Sequence, residues 1–78
     1  MKTTRYFDAT RQREDRLAIL DEWVLLAVSL PHAEVIQVDG RIRRWALIEV
    51  AGRRYLRVVL LPDGETVHNA FFDRRFKP

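Results

Sequence analysis

The residues best suited to chemistry lie near the end of the sequence, in His68-Asn69-Ala70-Phe71-Phe72-Asp73-Arg74-Arg75-Phe76. Phosphodiester cleavage needs a group that activates the attacking hydroxyl, a group that protonates the leaving oxygen, and cations for the developing charge. His68 could take either proton-transfer role. Arg57, Arg74 or Arg75 could supply the positive charge. The candidate catalytic residues are Arg57, His68 and Arg74.

Each of these residues also has a plain structural interpretation. His68 could be a hydrogen-bonded, half-buried histidine of a strand. Asp73 could form an ion pair with Arg53, and Arg74-Arg75 could be a solvated pair of charges. The sequence leaves both interpretations open.

Arg57 interrupts an apolar strand, Tyr55-Leu56-Arg57-Val58-Val59-Leu60-Leu61. A charge there costs stability unless it faces solvent or meets a partner. Arg57 could therefore contact a phosphate or pair with Asp73 or Asn69. Tyr55 could stack on a base or simply cover the sheet. The candidate nucleic-acid-binding residues are the basic and aromatic ones at Arg13, Arg16, Arg44, Tyr55, Arg57, Arg74 and Arg75.

The charge composition favours an anionic partner. Twelve of the fourteen basic residues are arginine, whose planar fork suits phosphates and stacks on bases. With a sequence pI near 10.0, this bias indicates nucleic acid. A preference for arginine over lysine would also arise in a GC-rich genome, and the eleven acidic residues reduce the positive potential of the protein. Arg13 and Arg16 could likewise pair with Asp8, Glu14 or Asp15.

Length and absent motifs set further limits. Seventy-eight residues predict one domain, residues 1–78, with a small core. Without cysteine, and with only His32 and His68, we expect no metal site and no cofactor. No apolar run approaches the roughly 18–20 residues of a membrane span, and the N-terminus leads into no signal-peptide core, so we expect a cytoplasmic protein with no membrane contact. The sequence has neither a phosphate-binding glycine loop nor a Gly-x-Ser-x-Gly elbow, which excludes most common enzyme classes.

Two helices are predicted before the strands. After an extended segment over residues 4–8, a first helix is expected over Thr10–Leu17, with Thr10 as its N-cap and Arg13 and Arg16 on one side. A second runs from Leu20 or Asp21 to Leu30, before Pro31. Apolar residues lie on nearly all sides of this second helix. We therefore expect the helix to be enclosed by the fold or to form part of a dimer contact. Trp23 is expected in the core.

A β-meander is predicted for the second half, with strands over Glu34–Val38, Arg41–Val50, Arg53–Leu61 and Glu65–Asp73. Asp39-Gly40, Ala51-Gly52 and Pro62-Asp63-Gly64 are the expected turns. A two-residue turn at Ala51-Gly52 places Trp45 opposite Val58, and the last turn pairs Arg57 with Asn69. The helix face would then carry Trp45, Leu47, Leu56, Val58, Leu60, His68, Ala70 and Phe72. The open face would carry Ile42, Arg44, Ala46, Ile48, Tyr55, Arg57, Val59, Asn69, Phe71 and Asp73. The predicted class is α+β, with both helices on one face of a four-stranded antiparallel sheet.

Several short motifs together resemble the RelE/ParE-like toxin superfamily, and within it an uncharacterised family of small bacterial proteins. They are Arg13-x-x-Arg16-x-x-Ile19-x-x-Glu22-Trp23-Val24, Pro31, Tyr55-Leu56-Arg57-Val58-Val59 and Ala70-Phe71-Phe72-Asp73-Arg74-Arg75. The resemblance spans nearly the whole chain and implies helices packed on an antiparallel sheet. The cleavage residues of the family are arginines and lysines of the sheet with a C-terminal tyrosine or histidine. Arg57, His68, Arg74 and Arg75 are the nearest matches here, and the tyrosine is missing.

The resemblance, the arginine-and-aromatic sheet face and the nearly all-apolar second helix together leave three functions open. The first is a toxin of a toxin–antitoxin pair that binds RNA or the ribosome through the arginine-rich sheet face, and cleaves mRNA as a metal-independent endoribonuclease if it is an enzyme. The second is a non-enzymatic interaction module of the same fold, a homodimer or the partner of an antitoxin protein. The third is inhibition of DNA gyrase.

Overall fold

A computed structural model describes all residues, Met1–Pro78. Two helices, α1 (Arg5–Thr10) and α2 (Asp21–Ser29), precede four strands, β1 (Ala33–Ile36), β2 (Ile42–Ile48), β3 (Arg54–Leu60) and β4 (Val67–Phe72). The strands form one antiparallel sheet in the order β1-β2-β3-β4. The α+β class, the two helices and the antiparallel meander are therefore confirmed. Neither helix has the length and apolar character that crossing a membrane requires.

The first helix lies earlier in the chain than the sequence predicts. Residues 4–8 were expected to be extended, but α1 begins directly after Thr4, whose hydroxyl accepts the N–H of Phe7 at 3.1 Å. Thr10 is the last residue of α1 and not an N-cap, since its buried hydroxyl donates to the carbonyl of Phe7. Residues 11–18 form successive turns. The prediction of a helix over Thr10–Leu17 is wrong because the helix begins at the Thr4 cap, and the Thr10 hydroxyl is bonded inside its last turn.

Helix α2 matches its prediction closely, ending at Ser29 before Pro31. Val24 and Ala27 are fully buried and face the sheet, whereas Leu25 and Leu26 remain partly exposed. Together α1 and α2 cover one face of the sheet, and Phe7 of α1 joins the same core. The core consists of Phe7, Ile19, Val24, Ala27, Ala46, Ile48, Leu56, Val58, Leu60, Val67 and Ala70.

The connection between β2 and β3 is longer than the predicted two-residue turn. Residues Glu49–Ala51 form one turn of 3-10 helix, and then Gly52 and Arg53 both take the left-handed conformation, with φ of 76° and 56°. Trp45 consequently lies opposite Arg57 and not Val58. This shift of one residue turns every side chain of β2 to the other face.

The faces of β2 are therefore the reverse of the prediction. Ile42, Arg44, Ala46 and Ile48 belong to the helix face, where Ala46 and Ile48 are core residues. Trp45 is buried, as expected, but on the opposite face beside Arg57. We call this second face the tail face, because the tail segment Asp73–Pro78 folds back over it.

The hairpin between β3 and β4 also differs in register while keeping its faces. Arg57 pairs with Phe71 and not Asn69, a shift of two residues, and Val59 with Asn69. A bulge follows, since Leu60 pairs with Val67, which leaves His68 as the extra residue. Gly64 takes the predicted left-handed conformation in the turn, with φ of 72°.

Candidate nucleic-acid interface

The basic residues divide into those that have an acidic partner and those that have none. Seven of the fourteen basic residues have an acidic group within 4.0 Å. The other seven have none, and they are Arg5, Arg13, Arg43, Arg54, Arg74, Arg75 and Lys77. Four of these lie where β3 begins and β4 ends: Arg54 is the first residue of β3, and Arg74, Arg75 and Lys77 belong to the tail segment. Positive charge is thus concentrated at one end of the sheet.

Two adjoining clefts lie at this end, and both are lined by Arg54, Phe72 and Arg74. The first cleft has a volume of about 190 Å³ and also touches Tyr55, Asp73 and Phe76. The second has about 260 Å³ and extends to Asp15, Arg16 and Phe71. We call Arg16, Arg54 and Arg74 the basic rim.

The rim arginines are held by their neighbours to different extents. The Arg54 guanidinium lies 3.8 Å above the Phe72 ring and its Nε donates to the carbonyl of Ala51. Arg16 donates to the Asn69 Oδ1 at 2.8 Å and lies 3.5 Å from the Asp15 carboxylate. The rim therefore combines positioned guanidinium groups with an aromatic face, which suits phosphate and base contacts.

On the tail face, Arg57 is largely enclosed. Its guanidinium lies 5.0 Å from the Phe71 ring and 3.7 Å from the Asp73 carboxylate, and only 22% of its side chain is exposed. Burial lowers the pKa of Arg57, assisted by the charge of Arg43 and opposed by Asp73. Its Nε is buried and has no hydrogen-bond partner.

Asp73 anchors this arrangement. Burial alone would raise the pKa of Asp73, but hydrogen bonds from the Trp45 indole and the Arg75 amide, with the Arg57 charge, leave it below the usual value. The carboxylate is therefore ionised at neutral pH. The predicted pair with Arg53 is not formed, because Arg53 lies 3.6 Å from Glu49.

His68 lies away from the basic rim. Its ring stacks on Tyr6 of α1 with centroids 4.8 Å apart, and its Nδ1 is 3.0 Å from the Thr4 hydroxyl. Burial, and next the charge of Arg41, lowers the pKa of His68. Five residues separate His68 from Arg74 along the chain, with His68 at the start of β4 and Arg74 beyond its end.

The remaining candidates are scattered. Arg44 is on the helix face, where it bonds Glu34 at 2.6 Å and the carbonyl of Val28. Arg13 is exposed in the turns after α1, and Arg75 is exposed in the tail segment. Tyr55 packs on the tail face against Phe76. The structure thus brings together Arg16, Tyr55 and Arg74, with Arg75 beside them.

Sequence reasoning missed Arg54 and Phe76. With a two-residue turn at Ala51-Gly52, Arg54 would lie opposite Glu49, whereas in the structure Glu49 is 3.6 Å from Arg53. A longer loop was signalled only by Gly52. No periodicity marks Phe76, because it lies beyond the last strand.

Comparison with known proteins adds no assignment to this site. No protein-family model matches the chain, and no curated protein or solved structure matches it either.

Proposed function

We propose that this protein binds single-stranded RNA through the basic rim, as the RNA-binding toxin of a toxin–antitoxin pair with a RelE/ParE-like fold. One observation carries the proposal: Arg54 and Arg74, which have no acidic group within 4.0 Å, line both clefts beside the half-exposed Phe72 ring, and Arg16 lines the second cleft. Elsewhere most basic residues are held by acids.

The arrangement suits a single strand better than a duplex. Arginine forks contact phosphates along a backbone, and the half-exposed rings of Phe71 and Phe72 can contact bases only if those bases are unstacked. The clefts of about 190 and 260 Å³ are small and have Arg54 and Arg74 in common in their linings. They suit consecutive nucleotides of a flexible chain.

Binding is supported better than cleavage. RNA cleavage needs a group that takes the proton of the attacking hydroxyl. Asp73 lines the first cleft together with Arg74, but its lowered pKa makes it a weak base and its oxygens already accept from Trp45 and Arg75. His68 is engaged with Thr4 at a distance from the rim. The endoribonuclease therefore remains a hypothesis with no assembled acid–base pair.

A protein-interaction module is the second candidate. Apolar side chains remain exposed on α2 and on the edge strand β1, with Leu30 74% and Ile36 66% accessible. Surfaces of this kind mark contacts between proteins. A sedimentation experiment tests this function, because a monomer that does not change with concentration or with a co-expressed partner would contradict it.

Controlled induction in bacteria tests the proposed function. Wild type, Arg54→Ala/Arg74→Ala and a control double variant, Arg5→Ala/Arg41→Ala, are compared after accumulation and folding are verified. We expect wild type and control to arrest growth and to carry RNA through purification, and the rim variant to do neither. Equal, normal growth of all three without bound RNA would contradict the proposal. Growth arrest without RNA, together with loss of supercoiling by purified gyrase, would favour gyrase inhibition.

A further inference from the structure

The Phe76 ring occupies a site built from other aromatic side chains. It stacks on Trp45, with centroids 4.7 Å apart and planes inclined by 18°. The centroid of the Tyr55 ring is 4.9 Å from that of Phe76, and the centroid of the His32 ring, which is perpendicular to Phe76, is 6.3 Å away. Trp45 therefore covers one face of the Phe76 ring, and Tyr55 and His32 lie beside it.

Polar groups adjoin Trp45 next to this aromatic site. Arg57 lies opposite Trp45 in the sheet, with its guanidinium 6.0 Å from the indole, and its buried Nε has no partner. The Asp73 carboxylate is beside it at 3.7 Å, which is long for a hydrogen bond. A buried donor without an acceptor costs free energy unless a ligand or water satisfies it.

Beyond Asp73, the tail segment has no backbone bond to the sheet. The Asp73 amide donates to the carbonyl of Tyr55 at 2.9 Å, and the Arg75 N–H then donates to the Asp73 carboxylate. Arg74, Arg75 and Lys77 are exposed. The Phe76 ring is thus the principal contact that keeps the end of the segment on the tail face.

We propose that the site formed by Trp45, Tyr55, His32 and Arg57 binds a nucleobase of RNA, and that Phe76 occupies it when RNA is absent. The inference rests on the proposed function and names the base-recognition site that accompanies the basic rim. A base offers the same flat ring as Phe76 and adds acceptors that the Arg57 Nε can bond.

The position of the site supports this ligand. Tyr55 and Phe76 line the first cleft together with Arg54 and Arg74. A strand whose phosphates lie on the rim can therefore place a base on Trp45 once Phe76 moves away. RNA must then compete with an intramolecular ring.

Binding of two probes to the Phe76→Ala variant tests the inference. The probes are a short oligoadenylate RNA and an abasic strand of equal length, which carries the same phosphates without bases. All proteins carry Trp23→Phe, so that Trp45 is the remaining fluorophore. Tyr6→Ala is the matched control, because it removes an exposed ring stacked elsewhere.

We expect Phe76→Ala to bind oligoadenylate about tenfold more tightly than the parent, the size of one base-stacking interaction. The affinity for the abasic strand should not change, and Tyr6→Ala should alter neither. Oligoadenylate should quench the Trp45 emission of Phe76→Ala, and the abasic strand should not. If Phe76→Ala fails to fold, Phe76→Leu serves instead, since it keeps an apolar side chain and loses ring stacking.

The failures of the two proposals are distinguishable. If the parent binds RNA through Arg54 and Arg74 but Phe76→Ala shows unchanged or weaker affinity and unquenched Trp45 emission, the base site is wrong and the proposed function stands. If neither protein binds oligoadenylate, both proposals are wrong. If Phe76→Ala gained as much affinity for the abasic strand as for oligoadenylate, the base site would also be wrong. The Phe76 ring would then obstruct the binding of phosphates and not of a base.

Discussion

The indole Nε1–H of Trp45 donates to the Oδ2 of Asp73 at 2.9 Å. This bond joins the middle of β2 to the first residue of the tail segment across the tail face. The same carboxylate lies 3.7 Å from Arg57, and its other oxygen accepts the N–H of Arg75. One acidic residue thus organises the aromatic site and the turn that leads to Arg74.

Removing the Asp73 carboxylate should destabilise the fold. In Asp73→Ala, the Trp45 N–H and the Arg57 charge lose their acceptor while both remain largely covered. We expect the free energy of unfolding to fall by about 2 kcal/mol, the usual effect of losing a hydrogen bond to a charged group. Asp73→Asn keeps an acceptor for Trp45 and should lose less. Urea unfolding measures both.

A double-mutant cycle with Arg57→Leu separates the charge pair from the indole bond. Arg57→Leu should partly compensate Asp73→Ala, because it removes the charge that was left alone. Additive losses in the double variant would show that Arg57 and Asp73 do not interact, contrary to the geometry.

Mild acid should loosen α1 through His68. The folded-state pKa of His68 is lowered by burial and by Arg41, so the folded protein prefers the neutral ring. Its contribution to stability is complete above the unfolded value of about 6.5 and declines as the pH falls below it. The Nδ1 of His68 is also 3.0 Å from the hydroxyl of Thr4, the N-cap of α1, so a change at the ring acts on the start of this helix. The free energy of unfolding should decrease from about pH 7 to pH 5.

His68→Gln should abolish this part of the pH dependence, and His32→Gln should keep it. Unfolding at several pH values in parallel measures the difference. A slope that persists in His68→Gln would assign the acid sensitivity to another group.

Stronger acid should act on the turn between β3 and β4. Asp63 accepts the N–H groups of Glu65 and Thr66 and the Thr66 hydroxyl, and these bonds lower its pKa to about 2. The stabilisation is present above the ordinary pKa near 4 and disappears as the pH falls toward 2. The difference in unfolding free energy between wild type and Asp63→Asn should therefore shrink over this interval. A constant difference would contradict the assignment to the Asp63 charge.

The loop between β2 and β3 should depend on Gly52. Its φ is 76° and an added Cβ would meet no atom within 4 Å, so only the backbone conformation opposes alanine. Gly52→Ala should cost about 1 kcal/mol, and Gly52→Asn less, because asparagine tolerates the left-handed region. Thermal unfolding measures both. An alanine variant as stable as wild type would indicate that residue 52 is not left-handed.

The sequence predicted which segments are strands better than it predicted their register. Alternating apolar residues and turn glycines located all four strands, and Pro31 marked the end of α2. Trp45 was assigned to the wrong face because the length of the Ala51-Gly52 turn could not be read from local preference. The left-handed Arg53, a conformation rare for a side chain, lengthens that loop.

Only part of the candidate site could be predicted, because the same loop also decides which arginine pairs with Glu49. Arg74 and Arg75 stand out as adjacent charges after an aromatic strand, and the structure places Arg74 in the lining of both clefts. Recognising Arg54 required knowing that Glu49 pairs with Arg53, which follows from the loop. The function of His68 could not be judged from spacing, because the bulge turns its ring toward Tyr6 and Thr4.

The salt dependence of RNA affinity tests the central claim most directly. Fluorescence anisotropy of a labelled single-stranded RNA would compare wild type, Arg54→Ala/Arg74→Ala and Arg5→Ala/Arg41→Ala at several salt concentrations. We expect the rim variant to bind at least about tenfold more weakly, with a slope of log affinity against log salt smaller by about 1 to 2, because each lost phosphate contact removes about 0.7. The control pair removes the same charge and should leave affinity and slope nearly unchanged. Equal losses in both double variants would show that net charge alone attracts RNA, and would contradict a binding site at the basic rim.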